Sequence, residues 1–237
     1  MNLREKYGEW GIILGATEGV GKAFAEKIAS EGMSVVLVGR REEKLQELGK
    51  SISETYGVDH MVIRADFAQS DCTDKIFEAT KDLDMGFMSY VACFHTFGKL
   101  QDTPWEKHEQ MINVNVMTFL KCFYHYMGIF AKQDRGAVIN VSSLTAISSS
   151  PYNAQYGAGK SYIKKLTEAV AAECESTNVD VEVITLGTTI TPSLLSNLPG
   201  GPAGEAVMKT AMTPEACVEE AFDNLGKSLS VIAGEHN

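Results

Sequence analysis

The chain has 237 residues, 44% apolar and 22% charged, the ordinary mixture of a globular protein, which excludes disordered, collagen-like and low-complexity readings. That length holds one large domain or two small ones. With 21 Lys and Arg against 31 Asp and Glu the net charge is −10, which disfavours nucleic acid or an anionic membrane as main partner and demands a local basic cluster for any anionic ligand.

The segment through Trp10 is polar and lacks a signal-like apolar stretch, and no run long enough to span a bilayer occurs anywhere, so a cytoplasmic protein without membrane contact is expected. Cys72, Cys93, Cys122, Cys174 and Cys217 are odd in number, with no Cys-x-x-Cys pair, and predict buried thiols in a reducing compartment rather than disulfides or a zinc site. No Cys/His/Asp cluster at metal spacing surrounds His95 or His125, so no metal is expected.

Apolar runs at 11–14, 34–38, 60–65, 85–92, 137–141, 179–186 and 229–232 are continuous rather than alternating, the mark of parallel strands buried on both faces. Between them helices are predicted over 20–32, 42–56, 72–82, 104–131, 152–176 and 213–227. The alternation predicts an α/β protein: a single Rossmann-like doubly wound parallel sheet of about seven strands with helices on both faces, one domain over 1–237.

After the first strand, Gly15-Ala16-Thr17-Glu18-Gly19-Val20-Gly21 opens a helix. Gly15 permits a tight turn, Gly19 a close backbone approach to a pyrophosphate, and Gly21 close helix–strand packing. A Walker loop is excluded, because Ala16 and Ala23 stand where Gly and Ser or Thr are required. The second strand ends in Gly39-Arg40-Arg41, where an acid would hold the ribose of NAD; two arginines suit the 2′-phosphate of NADP(H). Asp66 closes the third strand, as an acceptor for the adenine amino group or as a helix cap.

The stretch 111–130 is apolar on nearly every face, as a helix packed between the sheet and a second subunit would be; a homodimer or homotetramer is expected. Asn115 lies within it, with Asn113 as its rival for a functional role. Ser142-Ser143 ends the fifth strand. Tyr156-Gly-Ala-Gly-Lys160 then places a phenol and an ammonium at i and i+4, on one helix face and about 5–6 Å apart at Cβ. The segment 187–212, rich in Pro and Gly, is too long for an ordinary connection and follows the sixth strand's carboxyl end, so it is expected to be a substrate lid. Its Leu194, Leu195 and Met208, with Phe94, Phe97 and Tyr152 opposite, form a broad apolar wall suited to a rigid lipid-like ring system.

The glycine turn, Ser143, Asn115 and Tyr156-x-x-x-Lys160 together resemble the short-chain dehydrogenase/reductase family. The resemblance runs from about residue 11 to the end and implies Tyr156 as general acid/base, Lys160 as the cation that lowers its pKa and binds the nicotinamide ribose, Ser143 as donor to the substrate oxygen, with Ser142 the lesser candidate, and Asn115 as anchor of a relay water. It also implies cofactor contacts from Gly15, Thr17, Glu18, Gly19, Val20, Gly21, Arg40, Arg41, Asp66, Ala92, Tyr156, Lys160, Thr189 and Thr191. Leu14, Tyr90-Val91-Ala92-Cys93 and Leu186-Gly187 depart from the family pattern.

Several segments, among them Ser89-Tyr-Val-Ala-Cys, Gln101-Asp-Thr-Pro-Trp-Glu-Lys-His and Thr185-Leu-Gly-Thr-Thr, resemble the bacterial bile-acid 7β-hydroxysteroid dehydrogenases. That resemblance implies NADP(H)-dependent interconversion of a 7β-hydroxyl and a 7-oxo group, on a small steroid held by Ser143, Tyr156, Phe94, Leu194, Leu195 and Met208. Lys99 and Lys209 are candidates for the bile-acid carboxylate. The alternative is a reductase of 3-oxoacyl groups on acyl carrier protein; that acidic partner expects a basic rim, whereas acids outnumber lysines from Glu205 onward.

Overall fold

The computed structural model describes residues 2–198 and 200–234. It starts with a short helix, α1 (Leu3–Tyr7), capped by Asn2, whose buried Tyr7 donates a 2.5 Å hydrogen bond to Asp180. Then follow β1 (Trp10–Leu14), α2 (Gly19–Ser30), β2 (Ser34–Gly39), α3 (Glu42–Tyr56), β3 (His60–Arg64), α4 (Cys72–Thr80) and β4 (Met85–Tyr90). The second half holds α5 (Trp105–Ile112), a π-helical turn (Asn113–Thr118), α6 (Phe119–Gln133), β5 (Gly136–Ser143), α7 (Ala154–Glu173) and β6 (Val179–Leu186). Helices α8 (Pro192–Asn197), α9 (Pro202–Thr210) and α10 (Pro214–Asn224) precede β7 (Ser230–Ile232).

Among the described residues the strands form one parallel seven-stranded sheet in the order β3-β2-β1-β4-β5-β6-β7. Alternation along each strand feeds two cores: Ile13, Val35 and Leu37 pack under α2, α3 and α10, while Ile12, Val36 and Val38 face α4, α6 and α7. The Rossmann-like fold is as expected. The order reverses between β1 and β4, whose connections leave to opposite sides and open a crevice at the carboxyl ends of the strands.

Two expected elements differ. The helix predicted over 104–131 is interrupted: residues 113–118 widen into a π turn, so the segment is α5, a π turn and α6 rather than one α-helix. The segment 187–212 is less irregular than its prolines suggest, because Pro192 and Pro202 occupy first-turn positions of α8 and α9, where proline starts a helix instead of breaking it. Its ends are held together by Ile190 N–H to Met212 O at 2.8 Å and Met212 N–H to Thr188 O at 3.0 Å. No helix among the described residues is long and apolar enough to cross a membrane.

Candidate active site

The crevice is a cleft of about 860 Å³ lined from the end of β2 to the start of α8. Its floor on one side is the glycine turn. Gly15 has φ +104°, and a Cβ there would meet the Ala92 amide nitrogen at 2.6 Å; a Cβ on Gly21 would fall 2.0 Å from the Gly15 carbonyl oxygen. Gly19, at φ +57°, leaves room for the Thr191 methyl, which a Cβ would approach to 2.9 Å. Glu18 holds an extended backbone at the start of α2 and makes no side-chain cap, so the first amides of this 12-residue helix point into the cleft. Such a turn, with no side chain on its glycines and free amides, fits a dinucleotide pyrophosphate.

Thr17, Glu18, Val20, Arg40, Arg41 and Asp66 line the same end. Arg41 pairs with Glu18 at 2.9 Å, and this contact holds the Glu18 carboxyl below its usual range. Arg40 is exposed and has no carboxylate partner among the described residues. Asp66 accepts from the Ala68 amide at 3.1 Å, capping the turn after β3 while it faces the cleft.

The proton-handling groups sit where β5 and α7 meet. Ser142 and Ser143, adjacent in sequence, are separated in use: the Ser142 hydroxyl is buried and donates to the Lys160 carbonyl at 2.9 Å, whereas Ser143 is half-buried, accepts weakly from the Thr145 amide and faces the cleft. One turn apart on α7, Tyr156 and Lys160 place phenol and ammonium on the same side, with the Lys160 Nζ 5.9 Å from the ring centre. Lys160 is 2% exposed and donates to the Val141 carbonyl at 2.8 Å; burial pushes its pKa down.

The expected lowering of Tyr156 by Lys160 is not what this arrangement gives. Burial, and after it the Cys93 thiol, push the phenol up, and the Ser143 hydroxyl pulls it back only in part. The Lys160 ammonium donates to the Val141 carbonyl and lies 5.9 Å from the Tyr156 ring centre.

Asn115 lies outside the cleft lining, buried in the π turn. Its amide accepts from Phe94 N–H at 2.9 Å and donates to Phe94 O at 2.7 Å, fixing the chain beyond β4. Asn113 instead reaches the Ala68 carbonyl at 3.4 Å. Sequence reasoning missed the role of Tyr90: fully buried, it donates to the Val114 carbonyl at 2.5 Å and ties β4 to the π turn. The departure at Leu14 leaves the central strands joined through backbone, since Val91 and Ala92 both donate to the Leu14 carbonyl, at 2.9 and 2.8 Å.

Ala92, Phe94, Phe97, Thr189, Thr191 and Leu194 line the cleft, but Leu195 and Met208 do not. Leu195 is 53% exposed on the outer side of α8. No cluster of three or more His, Cys, Asp or Glu suited to a metal occurs among the described residues.

The family model for short chain dehydrogenases matches residues 9–198. A 7beta-hydroxysteroid dehydrogenase of Mediterraneibacter gnavus is 76% identical over 237 residues, all of this chain and 90% of that protein, and one of Collinsella aerofaciens is equally similar. A solved structure described as giving structural and biochemical insights into 7beta-hydroxysteroid dehydrogenase stereoselectivity superposes with a TM-score of 0.97 at 76% identity, covering all of this chain and 92% of that one.

Proposed function

This chain belongs to the short-chain dehydrogenase family, and from that premise we propose that it is an NADP(H)-dependent hydroxysteroid dehydrogenase, interconverting a 7β-hydroxyl and a 7-oxo group on bile acids. One observation carries the chemistry: the Tyr156 phenol, the Ser143 hydroxyl and the buried Lys160 ammonium converge beside a glycine cradle at the carboxyl ends of the sheet. The steroid and its position follow from full-length identity with relatives of that activity.

Gly15, Gly19 and the first amides of α2 hold the pyrophosphate of the dinucleotide, with Thr17 and Val20 beside them. Arg40 is free to meet a 2′-phosphate, and Arg41 joins it by giving up part of its contact with Glu18; a bidentate guanidinium suits that dianion. Thr189 and Thr191 close over the nicotinamide end, and Lys160 lies where its ammonium can hold the ribose. When bound, the dinucleotide supplies or accepts the hydride.

The protein supplies the rest. Ser143 donates to the carbonyl oxygen and stabilises the charge that develops on it. Tyr156, held protonated by its raised pKa, delivers the proton in reduction and takes it back in oxidation. Phe94, Phe97 and Leu194 give the steroid an apolar seat, and 187–212 acts as its lid.

Homo-oligomerisation is part of this reading. On α6, Phe119, Phe123, Tyr126 and Phe130 face inward, while Tyr124 is 80% exposed and Met117, in the π turn before it, 44% exposed; that outer face suits a second copy of the chain.

The test follows NADPH absorbance with 3-oxo, 7-oxo and 12-oxo bile acids and with a 3-oxoacyl carrier-protein substrate. Turnover of the 7-oxo acid alone is expected. Turnover of the acyl-carrier substrate without any bile acid contradicts the reading.

A further inference from the structure

Residues 91–96 continue beyond β4 without regular structure, and one residue in this tail is clamped: both backbone groups of Phe94 are held by the Asn115 side chain. The Phe94 ring packs against the core layer that also holds α6. Cys93 and His95 flank Phe94, and both are exposed at this point of the chain. There both line the cleft with Tyr156 and Lys160, and the His95 ring lies 5.5 Å from the Tyr156 ring, centre to centre.

The cluster is electrostatically linked. Desolvation by the cleft walls opposes ionisation of the Cys93 thiol, but the His95 imidazole and then the Lys160 ammonium outweigh it and bring the thiol below its usual pKa. The same contact raises His95. Cys72, Cys122, Cys174 and Cys217 all have thiols raised by burial, so Cys93 is the one cysteine of the five prepared to ionise. After burial, Cys93 is the group that pushes Tyr156 up. The remaining charged groups around the cleft are Glu18, Arg40, Arg41 and Asp66 at the β1 to β3 end, and Lys107, whose Nζ lies 5.3 Å from the centre of the Phe94 ring.

We propose that Cys93 and His95 act as a positioning pair in proton transfer, setting the charge that faces Tyr156 and with it the pH range over which the phenol gives and takes its proton. No bond to either residue forms or breaks, and hydride and proton follow the paths already described. The inference rests on Tyr156 being the acid/base of the proposed reaction. Negative charge on Cys93 disfavours phenolate, so the pair keeps Tyr156 a proton donor to higher pH.

The experiment has two arms. The first measures kcat and KM separately across pH for 7β-hydroxysteroid oxidation in the wild type, Cys93→Ala, Cys93→Ser and His95→Asn. Removal of the ionisable thiol is expected to move the acid limb of kcat/KM down by about one pH unit in Cys93→Ala and by as much in Cys93→Ser, with the steroid KM changed less than about twofold. A serine fills the space but does not ionise, so a wild-type profile in Cys93→Ser would assign the residue to packing and overturn the proposal, as would an unmoved limb in Cys93→Ala.

The second arm reads Cys93 alkylation by iodoacetamide at pH 7 by mass spectrometry, with no steroid present. His95→Asn is expected to slow it about tenfold, and an unchanged rate overturns the pair. If the wild type oxidises no 7β-hydroxysteroid, the functional reading fails and the alkylation rates alone judge the pair.

Discussion

Tyr156 meets the solvent of the cleft on one side and the end of β5 on the other, and its raised pKa gives a direction to the proposed chemistry. A phenol that stays protonated through neutral pH serves at once as an acid for reduction but must lose its proton before it can act as a base. Reduction is therefore expected to hold its rate from neutral into mildly alkaline pH while oxidation climbs with pH, a difference that initial rates in both directions measure. Replacing Tyr156 by Phe removes the proton and is expected to cost about 10²–10⁴-fold in kcat, with the fold unchanged by circular dichroism. At the other end of the cleft, Arg40→Ala with Arg41→Ala is expected to raise the NADPH KM about ten- to hundredfold and leave the NADH KM nearly unchanged, since each charge-assisted bond to the 2′-phosphate contributes about 1.5–3 kcal/mol. The proposed roles of these residues can be read from the sequence because the chemistry they rest on is local: glycines where a side chain collides, a Tyr and a Lys one turn apart, arginines where an acid would otherwise stand. Between Ser142 and Ser143 the family resemblance favours Ser143, but the residues alone do not decide, because the difference depends on which hydroxyl finds the Lys160 carbonyl. The upward shift of Tyr156 was hidden as well, since it comes from burial and from Cys93, a residue distant in sequence.

At the scale of elements, the strands could be read from the chain because a parallel sheet covered on both faces needs unbroken apolar runs. The π turn could not, since its cause is tertiary: the Asn115 amide turns aside to hold Phe94, and the Tyr90 phenol takes the Val114 carbonyl. Asn115→Ala deletes both bonds to Phe94 in a buried place, so it is expected to lower stability by about 1–3 kcal/mol and to raise the steroid KM, measured by urea unfolding and by steady-state kinetics on the same preparation. Likewise α1 is too short to announce itself; Tyr7 finds its partner in Asp180, 173 positions further along the chain. The Pro- and Gly-rich composition of 187–212 suggests an irregular segment, whereas Pro192 and Pro202 open helices there.

Over the whole molecule, one buried group runs against the stability of the fold. Glu182, in β6, is fully buried, neither of its oxygens has a hydrogen-bond partner among the described residues, and burial raises its pKa to about 8. The folded chain thus holds a proton there that the unfolded chain releases above its ordinary carboxyl pKa of about 4.3, so stability falls as pH rises from there to about 8 and levels off beyond. Glu182→Gln is expected to flatten that decline, read as Tm against pH in the wild type and the variant. The outer face of α6 is the proposed contact between copies of the chain, and Tyr124→Glu is expected to reduce the mass measured by light scattering to that of a smaller assembly or a single chain. The central claim, that this site passes hydride and proton between NADPH and position 7 on the β side, is tested most directly by the alcohol formed from a 7-oxo bile acid. Chromatography of the product against both epimers is predicted to give the 7β-hydroxy acid with one NADPH consumed per molecule; the 7α epimer, or no product, would contradict it.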